Sequence, residues 1–289
     1  MSIVFYTIGD WGKMSNNLLN VAESMDTLSS MKEYRPNFIL NVGDNFYPDG
    51  VESSEDEKWE TIYRNVFTGK YLYCPWYSIL GNHDYGINPQ AQIDYYKEKK
   101  DNRWIMPSRY YNVIHSYGNK KIEIICLDTI ELDLVTSKYF VRQEVLDSME
   151  INTTSSKGQL NWIEKTLSES TADWLIVIGH YNLYTSGSHG SNNRLIAMLK
   201  PLFIKYKVDM YISGHCHNLE HLVDHDIQYI VSGAITKNGL IGKIFQSKFG
   251  YADNGYTIHK IVDNKMKTLF INEKSEIIYN FDLSQKRNI

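Results

Sequence analysis

The chain has 289 residues, 43% of them hydrophobic and 22% charged, with 6 prolines, a composition that excludes disordered and fibrous classes. A formal net charge of -4 and short, interrupted lysine runs at 97–100 and 265–267 offer no basic face for nucleic acid. Cys74, Cys126 and Cys216 are odd in number and widely spaced, which fits neither a disulfide framework nor a zinc ribbon and reads as reduced thiols.

Ile3 to Ile8 is an apolar, β-rich run that stops at Gly9-Asp10. Leu18, Ala22, Met25 and Leu28 follow at helical spacing. The next strand runs are Phe38 to Val42, stopping at Gly43-Asp44, then Trp76 to Leu80, stopping at Gly81-Asn82-His83, then Ile122 to Leu127. Ile130 to Ser156 carries no clear periodicity and is long for a compact domain, so it is expected to be a functional lid or a disordered excursion. Leu160, Ile163 and Leu167 mark a second helix, and Trp174 to Ile178 a strand ending at Gly179-His180. Leu195, Leu199 and Leu202 mark a third helix, followed by strand runs at Asp209 to Ser213, ending at Gly214-His215-Cys216-His217, and at Ile227 to Ser232. Strand alternating with helix argues an α/β architecture with buried sheet, and nothing interrupts the reading of residues 1–289 as a single domain.

Five of the seven strand runs thus stop at a glycine that leads into Asp, Asn or His. Glycine permits a tight turn and, lacking a Cβ, lets a ligand sit close to the backbone. In open α/β sheets the carboxyl ends of the strands are where sites form, so the five ends are expected to share one. Met1 to Ile8 lacks a basic leader, which leads to the expectation of a cytoplasmic protein, or a secreted or lysosomal one if a leader has been removed. No run reaches membrane-spanning length, so no membrane partner is expected.

With Gly9-Asp10-Trp11-Gly12, Gly43-Asp44-Asn45-Phe46-Tyr47, Gly81-Asn82-His83-Asp84-Tyr85, Gly179-His180-Tyr181 and Gly214-His215-Cys216-His217-Asn218-Leu219, the chain resembles the calcineurin-like metallophosphoesterases over about residues 3 to 235. Tyr47, three residues after Asp44, narrows the resemblance to the purple, or tartrate-resistant, acid phosphatases. The resemblance implies a four-layer α-β-β-α sandwich with two mixed sheets. It also implies two metal ions: Fe(III) held by Asp10, Asp44, Tyr47 and His217, and a divalent Fe, Zn or Mn held by Asp44, Asn82, His180 and His215. Carboxylate and phenolate suit the hard trivalent ion, while imidazole and amide suit the divalent one.

The activity so implied is hydrolysis of phosphomonoesters by attack of a metal-bound hydroxide, with His83 and His189 hydrogen-bonding the phosphate and His189 protonating the leaving alkoxide. A small phosphorylated compound or a phosphoprotein is the expected substrate, and inorganic phosphate the product. Alternatives are a metallophosphodiesterase or nucleotide pyrophosphatase, which shares the core and differs in its loops, and a catalytically silent scaffold. Cys216 stands where the family usually has Asp, and alternation along an extended segment points it away from His215 and His217. Asp84 is a candidate to orient a neighbouring imidazole. His115 and His259 read as structural, and Leu219 to His225, with Glu220 and His221, as polar loop and strand edge. Over the metals, Glu131 to Asn152 is expected to form a partial cover.

Overall fold

The computed structural model describes residues 2–235 and 239–287. In chain order β1 (Ser2–Ile8) leads to α1 (Asn16–Ser30), β2 (Phe38–Asn41), β3 (Trp76–Ser78), α2 (Gln90–Lys97), β4 (Trp104–Ile105), β5 (Tyr111–Tyr117) and β6 (Lys120–Cys126). Three short helices follow, α3 (Thr129–Leu132), α4 (Leu134–Ser137) and α5 (Gln143–Ser148), then α6 (Thr153–Glu169), β7 (Trp174–Ile178), α7 (Asn193–Lys205) and β8 (Met210–Ser213). The C-terminal part is all strand: β9 (Leu219–Asp224), β10 (Ile227–Ser232), β11 (Ser247–Tyr251), β12 (Gly255–Val262), β13 (Lys265–Asn272) and β14 (Ile277–Ser284).

Among the described residues these strands make two seven-stranded sheets, ordered β14-β13-β12-β1-β2-β3-β4 and β11-β9-β10-β8-β7-β6-β5. Both are mixed. The runs β1 to β4 and β10-β8-β7-β6 are parallel, and their flanking strands are antiparallel. Alternation along each strand divides the core. Phe5, Leu40 and Ile79 of the first sheet meet Ile124, Ile176 and Ile212 of the second between the sheets. Their neighbours Tyr6 and Ile8 face Leu18, Val21 and Met25 of α1, while Val177 and Tyr211 face Ile163 of α6 and Leu195, Leu199 and Phe203 of α7. The result is the four-layer sandwich expected. Each fully buried aliphatic side chain contributes about 1.5–3 kcal/mol, which is what fixes amphipathic helices that would be marginal alone.

Three expectations need correction. The seven strand runs correspond to β1, β2, β3, β6, β7, β8 and β10, whereas the other seven strands are half-exposed or antiparallel and were not anticipated. β14, for example, alternates between exposed and half-buried positions along its whole length. Leu219 to His225 is not a polar loop and edge: most of it is β9, hydrogen-bonded between β11 and β10. There His221 is buried, stacks on Phe281 at 3.9 Å, and has its ring nitrogens 3.0 Å from the Tyr279 hydroxyl and 2.9 Å from Gln228 Oε1.

The segment from 130 to 156 is not a structureless excursion. It forms α4, α5, most of α3 and the first turn of α6. One-turn helices are too short to show a period, and these are fixed by caps instead: Asp128 accepts from the amides of Ile130 and Glu131, and Asp133 from that of Thr136. Among the described residues no helix is long and apolar enough to cross a membrane.

Candidate metal centre

The carboxyl ends of β1, β2, β3, β7 and β8 deliver the donor groups. A buried aromatic cluster lies under the first three loops, with Trp11 against Phe46 at 5.8 Å and against Trp76 at 6.3 Å, and Phe46 against Trp59 at 4.7 Å. Trp11 also donates to Asn41 Oδ1 (2.8 Å). Phe46 is thus the packing residue of its pair, while half-buried Tyr47 sends its hydroxyl to Asp44 Oδ2 (3.0 Å) and Asp10 Oδ1 (3.3 Å).

Asp10, Asp44 and His180 are buried, and their ligand atoms all lie within 4.8 Å of one another. Around them, His180 Nε2 is 3.4 Å from Asp44 Oδ1 and 3.1 Å from Asn82 Oδ1, and His217 Nε2 is 3.7 Å from Asp10 Oδ1. The His215 ring lies 5.2 Å from that of His180, and its amide donates to Asp10 Oδ2 (2.9 Å). All seven residues named from the sequence therefore meet at one place. His83 lies beside them, its amide donating to Asp44 Oδ1 (2.9 Å) and its ring 4.4 Å from that of Tyr47. Exposed His189 stacks on His215 at 4.2 Å.

The backbone is bent hard to achieve this. Asp10, Asp44 and His215 have φ of 56°, 55° and 66°, left-handed conformations that cost a non-glycine residue about 1–3 kcal/mol and cluster at functional sites. Close approach of the loops also depends on glycine. A Cβ on Gly81 would stand 2.2 Å from Asp44 Oδ1, and one on Gly214 2.4 Å from Asp10 Oδ2.

The same place packs ionisable groups that shift one another strongly. Burial, reinforced by the neighbouring Asp44 charge against the pull of His180, pushes the Asp10 carboxyl well above its ordinary range. Burial acts on Asp44 too, but the charges and hydrogen bonds of His180 and His83 outweigh it and hold that carboxylate low. Conversely, burial disfavours the His180 imidazolium, yet Asp44 more than compensates and raises it to about 9. His180 Nδ1 is 2.9 Å from the carbonyl of Val42, so that nitrogen carries the proton and Nε2 is the one turned to the carboxylates. His215 is pushed well below its usual value by burial and by the neighbouring His180, which keeps its ring neutral. Two buried carboxylates, a phenol, an amide oxygen and imidazole nitrogens form a donor set suited to hard and borderline cations.

Some roles differ from those expected. Asp84 orients no imidazole. It is buried, accepts from the amides of Gly81 (2.7 Å), Asn45 (3.0 Å) and Phe46 (3.2 Å) and from Gln92 Nε2 (2.8 Å), and so ties the loop after β2 to the loop after β3. A buried carboxylate collects donors, and amides were closest. Burial first, then the Asp44 charge, raises it to about 6. Cys216 is buried, and burial raises its thiol to about 11. His115 and His259 stack on Phe38 (4.4 Å) and Phe5 (4.6 Å), far from any donor cluster.

Sequence reasoning missed Gly233, which follows β10: a Cβ there would stand 2.3 Å from Asp10 Oδ2. The signal was present, since this strand also ends in glycine, but no ligand follows it. Phe140, between α4 and α5, was missed as well; its ring meets His215 at 5.5 Å and His189 at 6.2 Å.

The family pattern described as calcineurin-like phosphoesterase matches residues 3–219. The chain is a calcineurin-like phosphoesterase. Within this family it is similar to the tartrate-resistant acid phosphatase type 5 of Homo sapiens, 34% identical over 238 residues that cover 80% of this chain and 72% of that one. Purple acid phosphatase 3 of Arabidopsis thaliana is 29% identical over 99% of this chain and 78% of its own. Among solved structures, GAP50, described as the anchor in the inner membrane complex of Plasmodium, superposes with a TM-score of 0.86 at 27% identity, covering 99% of this chain and 90% of that one. The expectation of a dinuclear metal-dependent phosphatase of the acid phosphatase type is borne out by the phosphatase relatives. Such an enzyme takes a phosphorylated substrate and releases phosphate.

Proposed function

We propose that this calcineurin-like phosphoesterase is an acid phosphatase for phosphomonoesters. In this reading Asp10, Asp44, Tyr47 and His217 hold Fe(III), and Asp44, Asn82, His180 and His215 hold a divalent Fe, Zn or Mn. One observation carries it: the two oxygens of Asp44 are divided between the two donor sets, Oδ2 at 3.0 Å from the Tyr47 hydroxyl and Oδ1 at 3.4 Å from His180 Nε2. A carboxylate shared in this way supports a bridge between neighbouring cations. Bound there, two ions supply the Lewis acidity that makes water nucleophilic at or below neutral pH and neutralises phosphoryl oxygens.

The chain's own residues do the rest. His83 and His189 bind phosphoryl oxygens from opposite sides of the donor cluster. His189, exposed and stacked on His215, gives its proton to the leaving oxygen, and the alcohol departs neutral. Phe140 narrows access of water to His189 and His215. Asp84 holds the Asp44 and Asn82 loops at a fixed separation. The substrate is a small phosphorylated compound or a phosphoprotein. Pairing of β12 with β1 supports reading residues 1–289 as one domain.

The likeness to the Plasmodium anchor favours a second reading, a phosphatase-like scaffold without turnover. Metal analysis with a visible spectrum and p-nitrophenyl phosphate turnover on freshly purified protein separates the two. The enzyme reading expects two metals per chain, iron among them, a visible absorption band lost in Tyr47→Phe, and hydrolysis. Two bound metals without hydrolysis establish the scaffold, and colourless protein holding zinc alone removes the Fe(III) assignment.

A further inference from the structure

Between β7 and α7 the chain makes an exposed loop that carries His189. The loop closes on itself at its base, where the Thr185 amide donates to Ser191 Oγ (3.2 Å) and that hydroxyl donates back to the Thr185 carbonyl (3.3 Å). Beneath it lies a carboxyl group that the mechanism above does not use. Glu220, in β9, is fully buried. Its Oε1 accepts from the Thr185 hydroxyl (2.5 Å), and its Oε2 from the Ser186 amide (2.8 Å) and the Ser186 hydroxyl (2.6 Å). All three donors come from the His189 loop, and none is a cation. Burying a carboxyl group is costly unless donors meet it, so Glu220 and this loop hold each other in one arrangement.

Thr185, also buried, carries the connection onward. Its single proton goes to Glu220, so its oxygen is left to accept, from the Gly187 amide (2.9 Å) and from the thiol of Cys216, to which it is hydrogen-bonded. The Cys216 sulfur in turn accepts from the His189 amide. Hydrogen bonds thus run in one direction, from the His189 backbone through Cys216 and Thr185 to Glu220. The thiol that points away from the metal centre is the one that grips the backbone of His189.

We propose that the buried chain Glu220–Thr185–Cys216 sets the place of His189 as proton donor, which makes Thr185 and Glu220 positioning residues that act through it. This rests on the phosphatase reading above. Stacking on His215 fixes the distance between the two rings but lets the His189 ring slide in its own plane. The anchored backbone supplies the missing constraint, and a displacement of about 1 Å at a reacting group costs roughly 100-fold in rate.

The test uses the full chain loaded with two metals and two esters: glycerol 3-phosphate, whose alkoxide must be protonated as it leaves, and 2,4-dinitrophenyl phosphate, whose phenolate departs without a proton. Thr185→Val is expected to lower kcat on glycerol 3-phosphate about 10–100-fold, with KM and the rate on the dinitrophenyl ester within about twofold of wild type. Thr185→Ser, which keeps the hydroxyl, restores the rate, and Glu220→Gln shows the same selective loss as Thr185→Val. In a His189→Asn background Thr185→Val adds no further loss. Hydrogen exchange of the His189 amide reads the anchor without turnover: it quickens about tenfold in Thr185→Val, while β7 and β8 exchange as before. Equal losses on the two esters in Thr185→Val while His189→Asn is selective, a loss that adds to that of His189→Asn, or unchanged amide exchange overturns the proposal. Metal-loaded wild type that hydrolyses neither ester, with exchange still quickened by Thr185→Val, refutes the phosphatase reading and leaves the anchor standing.

Discussion

Gly233 directly follows β10 and carries no donor, yet it sits against the side chain on which the proposed Fe(III) site depends. A methyl group at this position would lie 2.3 Å from Asp10 Oδ2, whereas ordinary contact begins at about 3.4 Å, so the carboxylate has to retreat by about 1 Å. Little room exists for that, since Oδ2 already accepts from the His215 amide at 2.9 Å and Gly214 lies behind it. Metal–ligand distances tolerate about 0.2 Å, and displaced support around a ligand costs roughly 10–100-fold in metal affinity. Overpacking adds a strain of about 1–3 kcal/mol. Gly233→Ala is therefore expected to melt a few degrees lower and to lose metal to a chelator at concentrations 10–100-fold below those that strip the wild type. Metal content after graded chelator dialysis, read beside a thermal melt, measures both. Retention of two metals at wild-type chelator resistance would refute the claim that loop contact at Gly233 sets the position of Asp10.

Gly158 supplies the opposite case, because a Cβ there meets nothing within 4 Å and the position is an exposed one inside α6. Gly158→Ala should stabilise by about 0.5–1 kcal/mol in denaturant melts, with activity unchanged; a destabilised protein would show that α6 is not formed there. His259 makes stability pH-dependent: burial lowers it from 6.5 to about 3, so the unfolded chain binds a proton over a range where the folded chain does not. Its contribution is complete above pH 6.5 and lost as pH falls toward 3, about 3 kcal/mol at pH 4.5 as an upper figure. His259→Gln, which keeps a polar group for Thr257 and Thr268, should flatten the stability profile between pH 6.5 and 4.5, and an unchanged profile would show that another group governs it.

How much of this was legible follows from where each signal resides. Parallel strands buried on both faces read as continuous apolar runs, so β1, β2, β3, β6, β7, β8 and β10 stood out. Five of them end on a glycine followed by Asp, Asn or His, which makes six of the seven donor residues legible from the strand ends, while Tyr47 is legible only through the family resemblance. Half-exposed strands such as β11 and β14 carry weaker patterns, and their place in the sheets is fixed by partners distant in sequence: β12 pairs with β1 across some 250 residues. Asp84 shows the same limit at the site. Its sequence neighbours His83 and Tyr85 suggested an imidazole partner, but the donors that reached it, Asn45 and Phe46, come from a loop about forty residues away.

Gly233 and Phe140 escaped for a related reason, since neither residue type announces chemistry. What a glycine leaves empty and what a phenylalanine covers depend wholly on what the fold brings against them. In this chain those are the Asp10 carboxylate and the ring pair His189 and His215. Donor identity is thus written locally, in short segments at strand ends, while donor position is written in residues that look inert. The left-handed backbone at Asp10, Asp44 and His215 is the physical link between the two. Each such conformation is unfavourable for its own residue and persists only because neighbouring loops hold it there. Substitutions at the inert positions should accordingly disturb metal retention before they disturb the fold, and substitutions at the donors should leave the fold's core in place while removing the chemistry outright.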